Sequence, residues 1–233
     1  MNFLYQSTLD ILSFIYPKFC LSCDHEKAID RQELCLTCLM DLPVNDHFKY
    51  LENEIHLKFL GRQKINYAAA LFTMHIPGPA QKLIKQFKYQ GNKSLGKWLG
   101  HLFAKQLLKH KINRKLDYII PVPIHPSKRK IRGFNQTEIF ARAVSEMTHI
   151  PVLTQVLKKV NHGDSQTKMN RAQRIQNTMR SFELNESYNL SGKHILLVDD
   201  VLTTGATLES CMIELQKIAE IKISIGIIAM TKS

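Results

Sequence analysis

The stretch His194-Ile-Leu-Leu-Val-Asp-Asp-Val-Leu-Thr-Thr-Gly-Ala-Thr207 constrains this chain more than any other. An apolar run of strand type reaches two adjacent carboxylates, Asp199 and Asp200. After Val201 it enters a small, hydroxyl-rich turn that leads directly into a helical pattern. A strand feeding a helix in this way builds an anion site, because the first N–H groups of the helix lack intrahelical partners and its dipole favours negative charge. Thr203, Thr204 and Thr207 add hydroxyl donors, and Gly205 and Ala206 let the backbone approach closely. Two carboxylates beside a phosphate repel it unless they accept hydrogen bonds from sugar hydroxyls or hold a cation. A ribose 5-phosphate satisfies both ends at once. No Gly-Lys-Ser/Thr follows the glycine and no GxGxxG is present, which excludes a P-loop and a dinucleotide fingerprint.

The surrounding pattern alternates between the two periods. Ala68–His75, Tyr118–Val122, Ile195–Val198 and Ile221–Met230 read as strands. Ala80–Tyr89, Leu95–His110, Asn135–Thr148 and Leu208–Ala219 read as helices, and the segment around Ser127–Arg132 reads as a basic loop. Such alternation predicts an α/β domain with a mainly parallel, twisted sheet and helices on both faces. That domain is expected to span 60–233, behind a smaller module at 1–48.

The small module is defined by cysteines. Cys20-Leu-Ser-Cys23 and Cys35-Leu-Thr-Cys38 are two CxxC knuckles separated by eleven residues. Four thiolates complete a tetrahedral shell with no open position, which makes the expected Zn2+ structural. The same four cysteines could form two disulfides or hold an iron–sulfur cluster; spacing and ligand softness favour zinc. Cys211 lies in an apolar helical stretch and reads as a core residue, while His25 and His47 are surplus to the sulfur shell.

Basicity narrows the partners. With 32 Lys+Arg against 20 Asp+Glu the formal charge is +12, which points either to polyanionic partners (nucleic acid, phosphorylated metabolites or an acidic membrane face) or to a solvated basic surface with no dedicated ligand. The charge is dispersed over several groups, among them Lys82–Lys97, Lys128–Arg132 and Lys168–Arg180. The start of the chain lacks a basic n-region and carries Asp10 inside its apolar stretch, so it reads as a mature cytosolic start, and no run of about 18 apolar residues is present to span a membrane.

Val198-Asp-Asp-Val-Leu-Thr-Thr-Gly-Ala-Thr207 resembles the phosphoribosyl pyrophosphate (PRPP) signature of type I phosphoribosyltransferases. Phe87-Lys88-Tyr89 before Gly91, Ile120-Pro-Val-Pro123, Arg132-Gly-Phe-Asn-Gln136, Gln166, Arg171, Arg174 and Asn177, together with the cysteine module, resemble the ComF family of competence-associated proteins with that fold. The resemblance implies PRPP contacts from Asp199, Asp200, Val201, Thr203, Thr204, Gly205, Ala206 and Thr207. It implies diphosphate contacts from Ser127, Lys128, Arg129 and Arg132, Mg2+ carried with PRPP, and a closing loop at Lys168–Arg180. It further implies a cytoplasmic role, at the inner face of the membrane, in handling single-stranded DNA during natural transformation, with a DNA-translocating helicase among the partners. Lys85, Lys88, Lys93, Lys168, Arg171 and Arg174 are the nucleic-acid candidates. The competing reading is a metabolic transferase that moves ribosyl phosphate from PRPP to an unidentified nucleophile, releasing pyrophosphate, with no DNA role. Where family members carry an arginine-rich stretch this chain has Leu157–Asp164, so the expected arginine contact is either supplied by Lys159 or missing, and no acceptor-specific hood is recognisable.

Overall fold

The computed structural model describes residues 19–29, 33–89, 91–160 and 181–231. Four strands form one parallel sheet: β1 (Tyr67–Met74), β2 (Tyr118–Pro121), β5 (His194–Leu202) and β6 (Lys222–Thr231), in the order β1-β6-β5-β2. Successive residues of β5 face opposite cores, as period-two geometry demands: Leu196 and Val198 on one side, Ile195 and Leu197 on the other. The first face is covered by α3 (Pro79–Tyr89), α4 (Lys93–Lys109) and α6 (Gln136–Thr148), through Phe87, Phe103 and Phe140. The second is covered by α2 (Glu54–Phe59) and α7 (Ala206–Leu215), through Phe59 and Met212. Helices therefore cover both faces of a parallel sheet, as the alternation of periods predicts.

Helix α4 approaches α6 at Gly100, where an added Cβ would lie 2.5 Å from that of Ala143. Phe103 sits beyond this contact, edge-on to Phe48 at 5.0 Å and to Phe140 at 5.3 Å. The free edge of β1 is closed by residues 43–45: Asn45 donates to the Leu71 carbonyl (2.8 Å) and Thr73 to that of Pro43 (3.0 Å). This pairing carries the cysteine segment, with its short helix α1 (Leu36–Met40), onto the first face. Cys20, Leu34, Cys35 and Leu42 share one core with Leu83 and Trp98, and the segment is tied to α3 by Lys82 Nζ donating to Ser22 O (2.9 Å) and Gln86 Nε2 to Leu21 O (2.8 Å).

Three local expectations change. The basic loop is a seven-residue helix, α5 (Pro126–Arg132): His125 Nδ1 accepts from Ser127 N at 3.1 Å, Pro126 supplies a preset φ in the first turn, and Gly133 ends the helix at φ +77°. Helix α7 stops at Leu215, short of Ala219. A two-stranded antiparallel ribbon, β3 (Leu157–Lys159) with β4 (Phe182–Leu184), has no counterpart in the sequence reading, because three residues are too few to display alternation.

Candidate functional site

All four sheet strands deliver their carboxyl ends to one edge, where open α/β sheets bind ligands. Asp199 and Asp200 lie near the end of β5. Asp199 is 8% exposed, and its Oδ1 accepts from the backbone N–H of Asp200 at 2.8 Å. Burial, reinforced by the Asp200 charge, raises its pKa from 3.8 to about 7. Asp200 is met by Lys88, at the end of α3, with Nζ 3.0 Å from Oδ1. Lys159 on β3 lies over the Phe182 ring at 4.9 Å, and its pKa is lowered by burial and then by the Lys128 charge.

The turn after β5 has the shape its residues foretell. Gly205 caps α7 at φ +86°, and an added Cβ would lie 2.9 Å from Phe59 Cζ, so glycine is required on both conformational and steric grounds. Thr203, Thr204 and Thr207 are exposed, Thr204 Oγ1 accepts from Ala206 N at 3.4 Å, and Ala206 and half-buried Val201 flank the turn. Lys58 on α2 donates to the Thr203 carbonyl at 3.3 Å. Arg62 reaches Glu209 in the first turn of α7 at 2.6 Å. Neither Lys58 nor Arg62 stands out in the sequence, since the contacts cross 145 and 147 positions and belong to no motif.

The opposite wall explains Arg132-Gly-Phe-Asn-Gln136. Asn135 caps α6 by accepting from Thr137 N at 3.2 Å, while its Nδ2 and the Thr137 hydroxyl both donate to the Val122 carbonyl at the end of β2 (3.2 and 2.6 Å). Gln136, fully buried, accepts from Arg132 Nη1 and donates to the Lys88 carbonyl, both at 3.2 Å. The Arg132 guanidinium lies over the Tyr89 ring at 5.3 Å. The motif thus fastens α5 and α3 to β2, leaving a cleft of about 490 Å³ lined by Lys88, Tyr89, Gly91, Lys128, Ile131 and Arg132. Ser127, Lys128 and Arg129 are exposed on α5, and the Ser127 hydroxyl lies 2.5 Å from His125 Nδ1.

The structure places Lys88, a nucleic-acid candidate from sequence, on the lining of the cleft and in contact with Asp200 of the acidic pair. Lys85 is exposed on α3, and Lys93 is exposed at the start of α4 over the Phe134 ring at 5.6 Å. Lys168, Arg171 and Arg174, with Gln166 and Asn177, lie outside the described residues.

At the far end of the first face, Cys20, Cys23, Cys35 and Cys38 place their sulfurs within 4.8 Å of one another, Cys23 and Cys35 at 3.9 Å, with all four thiols free. A tetrahedral ion with Zn–S bonds of about 2.3 Å separates its sulfurs by about 3.8 Å, so the cluster could hold a metal such as zinc. Burial opposes ionisation of Cys20, yet the backbone N–H groups of Cys23, Cys35 and Ser22 lower its pKa to about 7. Cys35 is pushed up by Glu26 and the neighbouring sulfurs despite the N–H of Cys38. Four thiolates this close need a cation. His47 belongs to the core instead: buried, it accepts from Ala70 N at 3.3 Å, and desolvation lowers its pKa.

A family model for the phosphoribosyl transferase domain matches residues 136–231. The chain is 27% identical to Competence protein F of Haemophilus influenzae over 208 residues, covering 85% of this chain and 91% of that protein. Competence protein ComFC of Bacillus subtilis is 29% identical over 106 residues, 44% of this chain and 41% of that protein. DNA utilization protein YhgH of Escherichia coli (strain K12) is 26% identical over 132 residues; the chain spans 57% of its length and the match covers 55% of this chain. The transferase model covers α6 to β6, which includes the Asp-Asp pair and the threonine turn, and the match to Competence protein F extends over 85% of the chain. Together these likenesses support a ComF family phosphoribosyltransferase-like protein.

Proposed function

We propose that the protein binds PRPP with Mg2+ in this cleft and acts in natural competence, handling incoming single-stranded DNA on the cytoplasmic side. One observation carries the PRPP reading: Asp199 and Asp200 stand directly before an open threonine–glycine turn, with cations across the cleft at Lys88, Lys128 and Arg132. Thr203, Thr204 and Thr207, with the N–H groups opening α7, hold the 5′-phosphate. Asp199 and Asp200 accept from the ribose hydroxyls, and Ser127, Lys128, Arg129 and Arg132 face the diphosphate, which brings Mg2+ as its counter-ion. A groove made only for DNA gains nothing from two carboxylates that repel phosphate. The names of the competence and DNA-utilization relatives support the biological role, for which Lys85 and Lys93 outside the cleft, with Lys168, Arg171 and Arg174, are the proposed DNA contacts. Zinc in the four-cysteine cluster is structural, since no ligand position is left for a substrate. Among the described residues no helix is long and apolar enough to cross a membrane.

The test is calorimetric titration of PRPP in Mg2+. Wild-type protein is expected to bind, and Asp199→Ala with Asp200→Ala to abolish the isotherm while single-stranded DNA affinity is retained or increased. An unchanged PRPP isotherm in the double variant sinks the assignment.

A further inference from the structure

The threonine–glycine turn is held from the side by α2 and the residues just after it, which lie outside the 136–231 match to the transferase domain. Helix α2 is itself fixed at both ends. Asn53 caps it by accepting from Ile55 N at 3.0 Å, and its Nδ2 donates to the Ala68 carbonyl of β1 at 2.7 Å. At the other end fully buried Phe59 packs against Gly205 of the turn. This anchoring places two cations. Lys58 Nζ donates to the Thr203 carbonyl at 3.3 Å, while Arg62 lies 2.6 Å from Glu209 through Nη1 and donates to the Lys58 carbonyl through Nη2.

Each contact has a consequence for an anion at the turn. The Thr203 carbonyl and the Thr204 N–H belong to one planar trans peptide, so they point in opposite directions. By holding the carbonyl, Lys58 fixes the direction of the N–H, and its ammonium offsets the negative end of a dipole that stands beside the phosphate position. Glu209 is 8% exposed in the first turn of α7, so its carboxylate occupies the helix end whose positive field an incoming phosphate uses. Arg62 is its counter-ion. Unpaired, a buried carboxylate so near the turn repels the phosphate through a medium that screens poorly.

We propose that Lys58 and Arg62 are positioning residues for the 5′-phosphate: Lys58 orients the Thr203–Thr204 peptide, and Arg62 neutralises the Glu209 carboxylate that competes for the opening of α7. The proposal rests on the PRPP reading and deepens it, because it adds to the turn two cations that Val198–Thr207 does not contain. Neither lies on α5, where the diphosphate contacts are proposed, so the two ends of PRPP report separately.

The experiment is calorimetry on the full chain in Mg2+, titrating PRPP, ribose 5-phosphate and inorganic diphosphate. Lys58→Met weakens PRPP and ribose 5-phosphate about tenfold or more, as loss of a charge-assisted hydrogen bond does, and leaves diphosphate within about twofold of wild type. Lys58→Arg, which keeps the charge and a donor, restores most of the loss. Arg62→Met weakens the same two ligands, and it also lowers the melting temperature because it strands a buried carboxylate. Arg62→Met with Glu209→Gln separates charge from folding: ribose 5-phosphate affinity returns to within about threefold of wild type. Where ribose 5-phosphate is too weak to titrate, PRPP against diphosphate makes the same comparison. If PRPP binds but Lys58→Met leaves the phosphate ligands unchanged, or weakens diphosphate equally, the role of Lys58 is refuted and the PRPP reading survives. If Glu209→Gln does not rescue Arg62→Met, the role of Arg62 falls. Failure of wild-type protein to bind PRPP overturns the parent reading and this inference with it.

Discussion

Lys88 Nζ lies 3.0 Å from Asp200 Oδ1, joining the end of α3 to the end of β5 across the mouth of the cleft. Both side chains are mostly buried, at 22% and 16% exposure, so the pair is shielded from solvent and salt. It also neutralises one carboxylate of the acidic pair at which PRPP binding is proposed.

Lys88→Met leaves Asp200 facing Asp199 without its counter-charge. The expected cost is about 1–3 kcal/mol of folding stability, measured by chemical denaturation, with weaker PRPP binding. Adding Asp200→Asn recovers much of the lost stability. Independent, additive costs in that double-mutant cycle would show that the pair is not coupled.

The raised pKa of Asp199 has a definite pH signature. Unfolded, the carboxyl ionises near 3.8, whereas in the folded protein it keeps its proton up to about 7. Between those values the folded state binds more protons, so this group lowers stability as pH rises from about 4 to 7, and its contribution is level above that. Asp199→Asn removes the dependence, and its stability relative to wild type climbs through the same window. Parallel stability–pH curves for the two proteins would contradict the burial argument.

A metal held by the four cysteines would be coupled to the core through Cys20 and Cys35, which lie in the same buried cluster as Leu83 and Trp98. Elemental analysis is expected to find close to one zinc per chain, lost in Cys35→Ser. Chelation lowers the melting temperature of the parallel-sheet domain as well as loosening the cysteine segment, because the metal's binding energy is folding energy. A metal-free preparation with an unchanged melting curve would count against this.

Gly205→Ala sets a Cβ against Phe59 Cζ at 2.9 Å, on a residue held at φ +86°. A stability loss of about 1–3 kcal/mol is expected, with loss of PRPP binding as the turn is displaced. Gly192→Ala shares a positive φ of +68° but meets nothing within 4 Å, so it serves as the control for backbone strain without collision.

The chain's own pattern determined the parallel sheet, the two-sided helical cover, the sulfur cluster and the threonine–glycine turn. Each of these is local: strand and helix periods, CxxC spacing and a strand–turn–helix junction all lie within a few tens of residues. Even so, α5 reads from sequence as a loop, because its cap depends on the His125 side chain turning back on Ser127, and β3 and β4 are too short to show a period. What only the tertiary structure decided is which charges meet. Lys88 sits 112 positions from Asp200 and reads from sequence as one of a run of surface lysines. Its role follows from Gln136 holding the Lys88 carbonyl while Asn135 and Thr137 anchor α6 to Val122. Long-range electrostatics depends on where helices end relative to strands, and packing of the buried faces sets that, whereas a motif carries only its own neighbours.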